Sequence, residues 1–383
     1  MASERTESEG TEDCILRMRG VQKRYGSVLA LESTDLDLCR GEILTLLGPS
    51  GCGKTTTLRL AIGLERATSG KIWFKDRLVD APESKVYVSP EKRDMGMVFQ
   101  SYAIWPHMDV FGNVAYPLKI RHRKADEIRQ EVEKVLDLVG LAGFANRPGT
   151  KLSGGQMQRV AVARGLVFGP DLLLMDEPFS NLDAKLRDQM RSELKLLQRR
   201  LGISVLFVTH DQSEALALSD RIAVMRAGHI EQVGAPKELY YHPQTAAARD
   251  FLGRTLLFQG KLASRHGESA MVELAEGALC RVAGADHTRG ASAGSLCVAG
   301  IRPEHVKIKP WLDQAERTQD ALAAQILTLL FIGDRYEASI RLPSGAIANV
   351  FLPCDDDWQE GQAVSLSFPP ERLQLWPATG AAE

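Results

Sequence analysis

The stretch EILTLLGPSGCGKTTTLRL, Glu42 to Leu60, constrains this chain more than any other. A strand-like apolar run leads into three glycines between Gly48 and Gly53, and then a lysine and three threonines open a helical pattern. Glycine loses more backbone freedom on folding than any other residue, so such a cluster implies that something approaches the main chain itself. A helix N-terminus presents unpaired N–H groups and the positive end of its dipole, which suits an anion. GPSGCGKT, Gly48 to Thr55, fits G-x-x-x-x-G-K-[ST], and it has the strand before and the helix after that the pattern needs. Gly48, Gly51 and Gly53 then let successive N–H groups point at phosphate oxygens, with Pro49, Ser50 and Cys52 completing the loop. Lys54 supplies a point charge to the β- and γ-phosphates, Thr55 a hydroxyl to Mg²⁺, and Thr56 reaches the α-phosphate. Cys52 fills a variable position of the pattern and carries no chemistry in this reading.

LLLMDE, Leu172 to Glu177, supplies the other half of a nucleotide-hydrolysing site: an apolar strand ending in two adjacent acids. Asp176, at the strand end, is placed to hold Mg²⁺ through water, and Glu177 to polarise an attacking water. MGMVFQ and SVLFVTH are further nearly continuous apolar runs, as expected of parallel strands covered on both faces. ILRMRGVQKRYG and ALESTDLDLCRGE read as earlier strands joined by turns. Amphipathic stretches such as ADEIRQEVEKVLDLVG and LRDQMRSELKLLQRRLG lie between, each closed by a glycine. Strands alternating with helices imply a parallel α/β sheet. After about Thr255 helical periodicity fades, and alternation as in RYEASIRL and AVSLSF predicts a second region of short strands in small barrels. PEHVKI at Pro303–Ile308 and PERLQL at Pro370–Leu375 share P-E-x-[VL]-x-[IL], the mark of a duplicated unit or of two unrelated strand starts.

The chain's 383 residues suffice for two or three domains with real cores. A net charge of −2 gives no global basic field for nucleic acid or an anionic membrane. Six scattered cysteines without a C-x-x-C pair fit free thiols in a reducing compartment. No run of 18 apolar residues offers a membrane span, and the acidic opening MASERTESEGTED is unlike a secretory signal and reads as a disordered tail over residues 1–13.

LSGGQMQRVAVAR, Leu152 to Arg164, discriminates among nucleotide-binding folds. Ser153, Gly154 and Gly155 precede a predicted helix, a second anion-binding helix start in the same domain as the phosphate loop. Here the chain resembles the nucleotide-binding subunits of ABC transporters, whose signature motif reads LSGGQ. The resemblance assigns Tyr25 in KRYG to stacking on adenine, Gln100 in VFQ to Mg²⁺ and the γ-phosphate, and His210 in VTHD to the γ-phosphate. It places SNLD, Ser180 to Asp183, at the interface between two copies, where Ser153–Gln156 of one chain would close the ATP site of the other.

VFQSYAIWPHMDVFGNVAYPL looks like the region where importer ATPases meet their membrane partners; Tyr102, Trp105 and Phe111 either form that docking surface or pack the helical subdomain's own core. GIRPEHVKI resembles the OB-like tail of importer ATPases handling sugars, glycerol phosphate, polyamines or ferric iron. The implied organisation is a P-loop ATP-binding domain over 14–244, with a helical subdomain at about 101–170, and a β-rich OB-like regulatory domain over 245–383. The implied activity is ATP hydrolysis by a cytoplasmic homodimer on the inner face of the membrane. It would drive solute uptake through separate permease subunits fed by a solute-binding protein. A soluble ABC ATPase acting on nucleic acid or ribosomes is the rival reading, opposed by the single ATPase domain, the lack of a long coiled coil and a tail without a basic-aromatic face. An exporter ATPase is the other rival, and it would not usually carry this tail.

Overall fold

The computed structural model describes residues 14–284, 288, 290–311 and 320–378, so the acidic tail lies outside the described residues. The chain divides into two compact units, with the boundary between Ala248 and Arg249.

In the first unit β1 (Cys14–Tyr25) and β2 (Val28–Cys39) form an antiparallel hairpin. β3 (Ile43–Leu47) runs into the glycine loop and α1 (Lys54–Ile62). β4 (Ser69–Phe74), β5 (Arg77–Ala81) and β6 (Val86–Tyr87) then return to the hairpin, making a sheet of order β2-β1-β4-β5-β6. After β7 (Gly96–Val98) come α2 (Val110–Ile120), α3 (Ala125–Leu138) and α4 (Gly154–Leu166). The chain re-enters with β8 (Leu172–Asp176), α5 (Ala184–Leu201), β9 (Ser204–Thr209), α6 (Gln212–Leu218), β10 (Arg221–Arg226) and β11 (His229–Gly234). The second sheet has the order β11-β10-β3-β9-β8-β7, parallel throughout except for β11.

The apolar runs explain this sheet. Every residue of β3, β8 and β9 is buried, and alternate residues enter different cores. Ile43, Leu173, Met175, Val205 and Phe207 join the core formed with α2–α5, whereas Leu44, Leu46, Leu172, Leu174 and Leu206 join the core against the antiparallel sheet. Local signals set the helix ends. The Asp109 carboxylate accepts from the Gly112 N–H at 2.7 Å to start α2, and Gly202, at φ 61°, ends α5 in a left-handed turn. Among the described residues no helix is long and apolar enough to cross a membrane.

The second unit is all β: β12 (Leu256–His266), β13 (Ser269–Leu274), β14 (Leu279–Val282), β15 (Leu296–Ile301) and β16 (Lys307–Pro310), then β17 (Ala321–Phe331), β18 (Arg335–Arg341), β19 (Ile347–Pro353), β20 (Ala363–Ser367) and β21 (Gln374–Pro377). They form two antiparallel sheets, β14-β13-β12-β15-β21 and β19-β18-β17-β20-β16. The two orders are the same series, third-second-first-fourth, completed by the fifth strand of the other half. The two P-E-x-[VL]-x-[IL] segments lead into those fifth strands, so the duplication is real and the repeats exchange their last strands. Residues of both sheets share one apolar core, including Phe258, Val272, Ile326, Ile340 and Val364.

Candidate active site

β3, β7, β8 and β9 lie side by side in one parallel sheet, and every candidate hydrolytic residue follows the carboxyl end of one of them. Open α/β sheets place ligands at that edge. The glycine loop is shaped by close approach. A Cβ on Gly48 would lie 2.2 Å from the Met225 carbonyl oxygen and 2.7 Å from Cys52 Sγ. Gly53 caps α1 at φ 104°, where a side chain would also meet the Ala30 carbonyl at 2.9 Å. Gly51 has open space around it, and its φ of 80° alone calls for glycine. Pro49 and Ser50 are exposed along the loop.

Lys54 is buried, and its Nζ donates to the carbonyls of Gly48 at 2.7 Å and Pro49 at 2.9 Å. The loop thus wraps an ammonium that has no carboxylate partner among the described residues, leaving the charge available to an anion in the cradle. Cys52 Sγ lies 3.7 Å from the same Nζ, and the buried thiol serves as packing. Tyr25 stays 43% exposed, with Lys23 Nζ 4.8 Å from its ring centre, and burial, with Glu65 nearby, raises the pKa of its phenol.

Thr55 Oγ1 donates to Asp176 Oδ1 at 3.0 Å, which joins the loop to the end of β8. Burial pushes the Asp176 carboxyl up from its ordinary range and Glu177 adds to that, while the Thr55 hydroxyl, Arg59 and Lys54 oppose it. Glu177 follows at φ 43°, a left-handed conformation uncommon for such a side chain, with its N–H bonded to the Val208 carbonyl at 2.9 Å. Its carboxylate meets Gln100 Nε2 at 3.1 Å and His210 Nδ1 at 3.1 Å. Two segments distant in sequence therefore converge on one carboxylate that is adjacent to the Thr55–Asp176 pair. The hydroxyl, carboxylate and amide offer oxygen donors only, the set that suits Mg²⁺, and among the described residues no cluster of His, Cys, Asp and Glu forms a metal cage. Mg²⁺ normally keeps waters and substrate phosphates in its shell, so few protein ligands are needed.

Ser153 caps α4 in a reciprocal box: Ser153 Oγ accepts from the Gln156 N–H at 3.4 Å, and Gln156 Oε1 accepts from the Ser153 N–H at 3.0 Å. Gly154 and Gly155 allow this helix start to pack on Leu182 and Leu186, where Cβ atoms would lie 3.5 and 2.9 Å from the leucine methyls. Asp183 caps α5 by accepting from the Leu186 N–H at 3.0 Å. The signature and the SNLD segment therefore form one continuous surface, and among the described residues no hydrogen bond ties Ser153–Gln156 to the phosphate loop.

Two aromatics of the expected docking surface face inward instead. Tyr102 is 4% exposed and Phe111 packs against the helical core, because α2 and α4 close over them. Trp105 is half-buried, with its ring 4.6 Å from that of the partly exposed Tyr116.

Supporting residues not singled out from the sequence hold this arrangement. Arg164 donates to the carbonyls of Tyr102 at 2.7 Å and Ala103 at 2.6 Å, fixing two left-handed residues just after Gln100; burial lowers its pKa to about 10. Asn181 Nδ2 donates to the Gln100 carbonyl at 3.0 Å. Arg93, fully buried, donates to the Leu60 and Ala61 carbonyls at 2.8 Å each and so completes the C-terminal end of α1. An arginine inside an otherwise apolar pattern was the available signal for Arg164, whereas nothing local distinguishes Arg93 from its charged neighbours.

Comparison with known proteins agrees with this geometry. Residues 31–180 match the ABC transporter family and residues 299–376 the TOBE domain. A trehalose/maltose import ATP-binding protein of Thermococcus litoralis is 51% identical over 62% of this chain and 64% of its own length. An Fe(3+) ions import ATP-binding protein of Rhizobium etli is 43% identical over 93% of this chain and 96% of its own. Among solved structures, the dimeric structure of MJ0796, a bacterial ABC transporter cassette, is 31% identical with a TM-score of 0.51, covering 58% of this chain and 98% of that one. The chain belongs to the ATP-binding subunits of ABC importers, with an ABC ATPase domain followed by a TOBE domain.

Proposed function

We propose that two copies of this chain enclose two ATP molecules, each between the phosphate loop of one copy and Ser153–Gln156 of the other. Closure and reopening then drive alternating access in integral membrane permease subunits, against which the dimer sits on the inner face of the cell membrane. The observation that carries the hydrolytic part is the Glu177 carboxylate held between Gln100 and His210 beside Thr55–Asp176. In this reading Glu177 accepts a proton from the attacking water, His210 and Gln100 fix its orientation, and Lys54 balances charge on the phosphates. Thr55, Gln100 and Asp176 hold Mg²⁺, which supplies Lewis-acid neutralisation of phosphate charge when bound. Gly48 to Gly53 cradle the phosphates, Thr56 contacts the α-phosphate, and Tyr25 stacks on the base. The self-contained cap at Ser153 and the dimeric form of the MJ0796 cassette support the shared site. A binding protein delivers the cargo to the permease. Relatives of comparable identity import trehalose/maltose and Fe(3+) by their names, so these residues do not select it.

The test is Glu177→Gln with MgATP. Hydrolysis should fall by roughly 10²–10⁴-fold, the usual contribution of a general base. The nucleotide should remain trapped, and size-exclusion chromatography should show a dimer that adding Ser153→Arg in the same chain disperses. Hydrolysis at the parent rate would remove Glu177 from its role, and a dimer indifferent to Ser153→Arg would remove the shared site.

A further inference from the structure

Gln100 and His210 meet the Glu177 carboxylate from two sides, and both are tied to the short SNLD loop between β8 and α5. Asn181 of that loop donates to the Gln100 carbonyl at 3.0 Å. The second tie runs through Arg187, in the first turn of α5. Its Nη2 donates to the Leu182 carbonyl at 3.1 Å and its Nη1 to Asp211 Oδ2 at 3.2 Å, while its Nε lies 3.8 Å from Glu214 Oε1. Asp211 directly follows His210.

The turn that carries His210 is pinned on both flanks. Thr209 Oγ1 donates to Glu214 Oε2 at 2.6 Å and accepts from the Asp211 N–H at 2.9 Å. Asp211 Oδ1 accepts from the N–H groups of Ser213 at 2.7 Å and Glu214 at 3.2 Å, which caps α6. These bonds fix the turn to its own helix, and Arg187 ties it to the loop that follows Glu177. A guanidinium suits that task because its donors form a planar fork, so one side chain grips a carbonyl and a carboxylate at a set separation. We propose that Arg187 is a positioning residue for hydrolysis: by holding the His210 turn to the SNLD loop, it sets the 3.1 Å approach of His210 Nδ1 to Glu177. The assignment rests on Glu177 and His210 acting as proposed above, and it adds a residue that touches neither nucleotide nor water in that scheme.

A clamp between α5 and α6 alone would be a structural role, and Lys195 separates the two. It lies two turns further along the same face of α5, and its Nζ donates to the Leu218 carbonyl at 2.7 Å and Asp220 Oδ1 at 2.8 Å, at the far end of α6. Single-turnover hydrolysis of radiolabelled MgATP by the full chain is the test, with affinity measured separately by a fluorescent ATP analogue. Arg187→Ala should slow hydrolysis roughly 10–10²-fold, the range for a misplaced reacting group, and leave affinity within about twofold, since Gly48–Thr55 is untouched. Asp211→Asn should do likewise, because it keeps an oxygen for the α6 cap and loses the charge that faces Arg187. Lys195→Ala should hydrolyse at the parent rate. Added to His210→Ala, Arg187→Ala should cost little more, as expected of two residues acting through one another. Arg187→Ala as active as Lys195→Ala, Asp211→Asn at the parent rate, or an undiminished loss in the His210→Ala background would each overturn the assignment. His210→Ala at the parent rate would overturn the role of His210 on which the assignment rests.

Discussion

Burial holds the Asp176 carboxyl above the ordinary range of an aspartate, and the hydrogen bond from Thr55 only partly restrains it. The folded chain therefore keeps this proton to higher pH than the unfolded chain does. Ionising Asp176 opposes folding, so stability declines as pH rises from the unfolded value of about 3.9 through the raised folded one. Asp176→Asn keeps an oxygen for the Thr55 hydroxyl and removes the buried charge. At pH 7 it should melt higher than the parent, and it should lose hydrolysis. Differential scanning calorimetry across pH 4–7 (about the window where carboxylates titrate) checks both the shift and its slope. A variant melting no higher than the parent would mean that the charge is already compensated. The residue thus carries a cost in the free chain that its proposed contact with Mg²⁺ explains, as expected where a site opposes folding.

Secondary elements meet the site through their ends, and caps do much of the positioning. Asp183→Ala should lower stability by about 1 kcal/mol through loss of the α5 cap, with faster hydrogen exchange at the Leu186 amide, and Asp183→Asn should restore both. Unchanged exchange at Leu186 would show that the cap bond does not hold the helix. Much at this scale was readable beforehand. The runs at β3, β8 and β9 announce buried parallel strands because both faces are apolar, and the phosphate loop declares itself by its glycines. The segments of β4 to β6 carry no such signal: burial there alternates or lapses, and the pairing depends on β1 more than 50 residues earlier in chain order, as in Met18 opposite Ile72. Tyr102 shows a different limit. An aromatic in a turn near Pro106 fits a docking face or a core equally well until α4 is seen to close over it. The convergence of Gln100 and His210 on Glu177 was available only through family resemblance, since sequence spacing says nothing of which loops share a sheet edge.

The whole molecule places a parallel nucleotide-binding sheet before an all-β unit whose halves complete one another. β21 pairs with β15, Val298 lying opposite Trp376, and β16 pairs with β20, Ile308 lying opposite Leu366. Removing Gln374–Pro377 should therefore expose β15, at the far side of the repeat in sequence, and leave β17 to β20 better protected. Hydrogen exchange should rise over Leu296–Ile301 before it rises over Ala363–Ser367. The reverse order would contradict the exchange of strands. ATP hydrolysis by the first unit provides the control for general unfolding.

That exchange also sets a timetable for synthesis. On a ribosome β12 to β15 emerge early, yet the edge of their sheet stays bare until the final repeat strand is made, because its partner is encoded more than 70 residues later. For that interval β15 presents a row of unpaired backbone groups, the kind of edge that recruits strands from neighbouring chains. Slow translation or a nonsense codon within the second repeat would thus harm the half already synthesised. Selection on the last strand is, in effect, selection on how safely the first half waits.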